Sequence, residues 1–171
     1  MSEDLAAWHD FFVAIVTASA GLLGLLFVAL SLHIRALASR RNAELRSVAR
    51  SVFLGYVVPL AIGFIALWPQ SLRAFGGEVL VLLLVSTVPF GEAARAGLRA
   101  TGVGYSRYVT IVQFVAGFAL FAVSLATAIA LILEEPTALF VTGATSVLAL
   151  LWGVFNTWEL IFRMQDAASS D

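Results

Sequence analysis

Residues Phe11–Leu32 read FFVAIVTASAGLLGLLFVALSL, an uncharged run of 22 residues dominated by apolar side chains. At 1.5 Å per residue a helix of that length spans about 33 Å, enough to cross the roughly 30 Å hydrocarbon core of a bilayer. The stretch therefore predicts a membrane-crossing helix. It is preceded by acidic Met1-Ser2-Glu3-Asp4, whereas a secretory signal opens on basic residues. Ala18-Ser19-Ala20 imitates a cleavage site, but the apolar run continues past it to Leu32, so the expectation is a retained helix.

Four more apolar segments follow: Val52–Trp68, Phe75–Phe90, Val109–Leu133 and Thr137–Phe162. With flanking turns added, the predicted helices cover about 9–33, 47–69, 75–94, 108–133 and 137–163. Pro59 and Pro89 fall inside the second and third, where a missing N–H is expected to kink each helix. Glu134-Glu135-Pro136-Thr137 reads as a tight hairpin, with the proline suited to the first turn of the last helix. The expected fold is all-α, a polytopic transmembrane bundle of five helices forming one domain over residues 1–171.

Composition points the same way. The chain is 61% apolar and 12% charged, against about 45–50% and about 25% in soluble domains. Its mean hydropathy is +0.97. A soluble fold of this size leaves too much surface exposed to hide that much hydrocarbon.

All ten basic residues are arginines, and nine of them sort to one side of a five-crossing chain. Arg35, Arg40, Arg41, Arg46 and Arg50 lie in the first loop, Arg95, Arg99 and Arg107 in the third, and Arg163 heads the C-terminal tail. The other side keeps Arg73 among the acidic Glu3, Asp4, Asp10, Glu134 and Glu135. The positive-inside rule then places the N-terminus outside and the C-terminus in the cytoplasm. The basic first loop has two readings: a topology signal, or a site for anionic lipid headgroups or a cytoplasmic partner. A net charge of −1 gives no electrostatic case for nucleic acid.

Catalytic chemistry is not expected. No lysine is available for a Schiff base and no cysteine for a thiolate or a disulfide. His9 and His33 stand about 36 Å apart at opposite ends of the first helix, too far to share a site. Neither HExxH, GxSxG nor a Walker loop occurs, and Glu78 and Glu159 fall near helix ends instead of mid-bilayer, where proton pathways place their acids. The expectation is a non-enzymatic protein without catalytic, cofactor-binding or metal-binding residues.

What stands out is a seam on the first helix. Asp10, Ala14, Thr17, Gly21, Gly24, Val28 and Ser31 alternate at spacings of four and three, which aligns them on one face. Small side chains let helices approach closely in lipid. Three readings stay open: packing within the chain, a homo-oligomer interface, or a pore lining with Asp10 and His33 as rings at its two mouths. Thr142, Ser146, Ala149, Gly153 and Asn156 repeat the pattern on the fifth helix, where internal packing is favoured. In the inner leaflet Gln113 and Asn156 come to similar depth, and Glu159 and Arg163 are four apart. Together these four form a candidate polar lock.

Trp8-His9-Asp10-Phe11-Phe12 followed by Ala18-Ser19-Ala20-Gly21-Leu22-Leu23-Gly24-Leu25-Leu26-Phe27-Val28-Ala29-Leu30-Ser31 resembles a group of small bacterial inner-membrane proteins of unassigned function. They open with W-x-x-F-F and A-S-A-x-L-x-G-L-x-F-V-A-L-S, and the likeness covers about the first 30 residues. It implies a bacterial inner-membrane home and a prominent first helix, and no activity. The functional expectation is a homo-oligomeric, channel-like assembly built around the first helix. The alternative is an accessory, scaffold or modulator subunit that uses the same face.

Reporters fused ahead of Ser2 and after Asp171 are expected on opposite sides of the membrane. A same-side result rules out an odd number of crossings.

Overall fold

Hydrocarbon offers no partner to a peptide group, so a chain crossing it must close its hydrogen bonds within each segment. The computed structural model describes residues 3–32, 34, 43–99 and 107–169, with side chains for 3–32, 34, 49–92, 94–95 and 115–162. Every regular element among them is an α-helix: α1 (Glu3–Ala7), α2 (His9–Leu32), α3 (Ala43–Ala66), α4 (Leu72–Arg99), α5 (Arg107–Ile132) and α6 (Ala138–Ser169). Five of these, α2 to α6, are long and apolar enough to cross a membrane. They are compatible with a multi-pass membrane protein.

The short α1 is absent from the sequence expectation. Its first turn exposes Glu3 and Asp4 while Leu5, 1% exposed, enters the core beside Phe12. The longer helices also differ at their ends from the anticipated bounds. α3 begins at Ala43 and stops at Ala66, short of 69, because the next residues are used for capping. The Gln70 side-chain amide donates to the Ile65 carbonyl at 2.6 Å, and Ser71 Oγ accepts the Ala74 N–H at 3.2 Å as the N-cap of α4. Pro59 and Pro89 lie inside α3 and α4, both of which continue through them.

The α5–α6 hairpin closes on a non-glycine residue in the left-handed region, Glu134 with φ 63°. Its N–H donates to the Leu131 carbonyl at 3.0 Å, and the Glu135 N–H to the Ala130 carbonyl at 3.1 Å, which is the Schellman pattern. Arg73 at the start of α4 reaches the same turn. Its Nε donates to the Ile132 carbonyl at 3.2 Å and lies 3.7 Å from the Glu134 carboxylate. Ala138, Leu139 and Phe140 then open α6 with bonds to Glu135, Pro136 and Thr137.

α3 occupies the middle of the bundle, packed against α2, α4 and α6, and α5 closes the other side against α4 and α6. At the end holding the start of α2, ring contacts knit the helices: Trp8 meets Phe140 at 4.8 Å and Phe12 meets Phe75 at 5.9 Å. On the other flank Phe90 of α4 stacks on Phe121 of α5 at 5.8 Å and meets Phe118 edge-on at 5.1 Å. The apolar excess that the core cannot hold is turned outward. Leu25, Phe27, Phe64, Val85, Val88, Phe118, Phe140, Leu151 and Trp158 are all exposed, and between them they come from all five long helices. In water such a belt would be a large aggregation-prone surface. In lipid it costs nothing.

Glycines mark the tightest approaches. A Cβ on Gly76 of α4 would lie 2.7 Å from both the Ile132 nitrogen and the Leu131 Cβ of α5, and 2.9 Å from the Ala128 carbonyl. Next to it, a Cβ on Gly77 meets nothing within 4 Å. Gly76→Ala is therefore expected to destabilise the bundle by about 1–3 kcal/mol through overpacking against backbone. Gly77→Ala should be neutral or stabilising by up to about 1 kcal/mol from helix propensity. Thermal unfolding of the two variants in mild detergent checks the opposite signs.

Candidate functional site

The first long helix divides into two faces that point in opposite directions. Phe12, Ile15, Ser19 and Leu26 are buried, at the spacing of one helical stripe, and they fill the space against α3 and α6. At 100° per residue the seam of Asp10, Ala14, Thr17, Gly21, Gly24, Val28 and Ser31 centres on the other side, and every one of these residues is exposed. A Cβ added at Gly21 or Gly24 would meet nothing within 4 Å.

Among the described residues nothing covers the seam, so the packing within the chain that was one of its open readings is not seen there. The physical reason is volume. The inner face of α2 carries the large side chains Phe12, Ile15 and Leu26, with Phe12 meeting Phe75 of α4 at 5.9 Å. The glycines that allow close approach are supplied by its neighbours. Gly63 of α3 sits under Val16, Ile15 and the Phe12 carbonyl, and Gly143 of α6 under the rings of Trp8 and Phe11.

The outward seam is small and self-satisfied. Thr17 donates its hydroxyl to the Val13 carbonyl at 2.8 Å and Ser31 to the Phe27 carbonyl at 2.7 Å, each one turn back on its own helix. Asp10 is exposed in the first turn of α2, where a carboxylate also favours the helix dipole. Its proposed counterpart His33 lies outside the described residues, as do Arg35, Arg40 and Arg41. Of the basic first loop, Arg46 and Arg50 belong to α3. The Arg46 side chain is outside the described set, and Arg50 is paired with Glu92 at 3.3 Å.

The repeat on α6 does face inward. Thr142, Ser146 and Gly153 are buried and Ala149 and Asn156 half-buried. Its hydroxyls are absorbed by the helix itself, Thr142 donating to Ala138 at 2.9 Å and Ser146 to Thr142 at 2.8 Å. Gly153 faces α3 closely: a Cβ there would lie 2.5 Å from the Tyr56 ring, and a Cβ built on Gly55 would lie 3.8 Å from the Gly153 Cα.

Of the anticipated polar lock, the described side chains are those of Asn156 and Glu159. Asn156 donates its amide to the Trp152 carbonyl at 2.7 Å on its own helix. The Gln113 and Arg163 side chains, and with them both anticipated pairings, lie outside the described residues; Glu159 is half-buried on α6. The interhelical bond that is present joins Tyr56 of α3 to Thr157 of α6, oxygen to oxygen at 2.9 Å. Its direction follows from proton counting. Thr157 spends its one hydroxyl proton on the Gly153 carbonyl at 2.8 Å, so Tyr56 is the donor. A readable signal existed, since a tyrosine in an apolar span must bring a partner for its hydroxyl. Two other buried atoms, Ser19 Oγ and Glu78 Oε2, have no hydrogen-bond partner among the described residues.

No three His, Asp or Glu side chains among the described residues are grouped to hold a metal ion. No family model, no curated protein and no solved structure matches this chain.

The donor assignment makes an asymmetric prediction. Tyr56→Phe leaves Thr157 bonded to its own helix and should cost about 0.6–1.7 kcal/mol. Thr157→Val keeps the shape but strands the Tyr56 hydroxyl, 1% exposed residue that it is, and should cost more, about 1–3 kcal/mol. Equal effects in a detergent unfolding series would reverse the assignment.

Proposed function

We propose that this protein works by association in the membrane, as a symmetric homo-oligomer joined through the small-residue face of α2 around a channel-like axis. The observation that carries the reading is the uncovered seam: Ala14, Thr17, Gly21, Gly24 and Ser31 face away from their own bundle. In hydrocarbon, small residues aligned on an outer face are the surface on which helices gain most from approaching one another. Thr17 and Ser31 keep acceptor lone pairs free to face an axis, and Asp10 lies where a ring of carboxylates would form at one mouth. On this reading the chain is not an enzyme and carries no cofactor. The arginine distribution supports an inner-membrane orientation with the N-terminus outside, and the resemblance of the first helix supports a bacterial plasma membrane.

A second reading has its own observation. Both seam hydroxyls have already given their protons to α2, which leaves the face dry enough to suit protein contact better than a water column. An accessory or scaffold subunit that docks another membrane protein on this face fits that feature.

Gly21→Leu separates assembly from folding, because Gly21 is exposed and a Cβ there meets nothing within 4 Å. It is expected to leave the monomer folded while abolishing the oligomer and any ion flux from reconstituted liposomes. Single cysteines at Thr17 and Ser31 should react with aqueous reagents if the axis is wet. An oligomer that survives Gly21→Leu sinks the shared-face reading. Unreactive cysteines and no flux, with a partner retained in mild detergent, favour the accessory subunit.

A further inference from the structure

At the end of the bundle opposite the start of α2, α3 and α4 carry a charge arrangement that neither internal packing nor the proposed assembly uses. Residues 51–66 of α3 and 79–91 of α4 carry no charge, so Arg50 and Glu92 are the charged residues at which these apolar runs end. They pair across the two helices at 3.3 Å with 59% and 60% of their side chains exposed, which puts the pair on the outward surface. Arg95, three residues on, is exposed and has no ion-pair partner among the described residues. Arg46 holds the helical position one turn before Arg50, and Arg99 the position one turn after Arg95. By helical position, Glu92 thus shares this end of the two helices with Arg46, Arg50, Arg95 and Arg99. Directly below, Val81, Val85 and Val88 share the helical stripe of Glu92 and are all exposed, an apolar track leading from the charged patch along the span.

We propose that this patch binds the phosphate of an anionic phospholipid, with an acyl chain lying along the Val81, Val85 and Val88 track. The guanidinium fork matches phosphate oxygens in geometry as well as charge. The apolar track favours a lipid over free phosphate, which has nothing to place there. Glu92 orients Arg50 and at the same time subtracts one unit from the charge felt by the headgroup. The inference rests on the bilayer as surrounding medium and is independent of the oligomeric reading.

The test is native mass spectrometry of the purified, delipidated protein titrated with phosphatidylglycerol, with phosphatidylcholine, and with inorganic phosphate as competitor. Phosphatidylglycerol is expected to be retained over phosphatidylcholine. Arg95→Gln and Arg46→Gln should each weaken its retention by about fivefold, the effect of one basic residue near an anionic headgroup. Glu92→Gln should move it the other way, a gain that general loss of structure does not produce. Equal retention of the two lipids, or a Glu92→Gln variant that binds less, overturns the proposal. Displacement of the lipid by inorganic phosphate alone overturns it in favour of a free-anion site.

Discussion

Between helices immersed in hydrocarbon there is little hydrophobic force, because lipid tails solvate an apolar side chain as well as a neighbouring helix does. What holds them is close contact, and the closeness depends on how little lies between two backbones. The bundle is organised around that constraint. Gly76 lets α4 rest on the backbone of α5, Gly63 lets α3 receive α2, and Gly153 lets α6 accept the ring of Tyr56. A methyl group at Gly76 would collide with main chain that has nowhere to go. α3 touches three other helices, and its contacts with α2 and α6 are made at such thinned points, Gly63 and Gly153.

The polar side chains obey a second rule that follows from the same solvent. With no water at mid-span, a hydroxyl gains from an acceptor nearby, and the nearest is the carbonyl one turn back; the buried Ser19 Oγ is an exception. Thr17, Ser31, Ser86, Ser124, Thr127, Thr142, Ser146 and Thr157 all take it. This is why a polar residue on these helices says little about which way it faces. Thr142 is buried and Thr17 is exposed, and both make the same bond. Tyr56 cannot reach back in this way, so its hydroxyl crosses to Thr157 and ties the central helix to the last one.

Those two rules explain what was legible and what was not. The existence of each long helix was readable, because an uninterrupted apolar run of membrane length has one economical backbone solution. Helix ends were less so: α3 stops at Ala66 because Gln70 and Ser71 are spent on caps, and α4 runs on to Arg99 past the apolar stretch. The seams on α2 and α6 were both visible as periodic patterns, and they turned out to face opposite ways. Periodicity defines a stripe. It does not say whether the stripe looks inward, since in lipid an exposed face need not be polar. The candidate lock lies partly outside the described residues, which include Gln113 and Arg163 only as helix positions, while Asn156 bonds a carbonyl on its own helix.

The amino-acid sequence by itself determined the medium and the elements: its apolar content and uncharged runs leave lipid as the solvent and the α-helix as the way through it. The tertiary structure alone decided the facing. It put Phe12, Ile15 and Leu26 inward against the neighbouring helices, and so it turned Gly21 and Gly24 outward. In water the hydrophobic effect would have announced that choice in the pattern. In hydrocarbon both faces of a helix are equally at ease, and only the fit of one surface against another tells them apart.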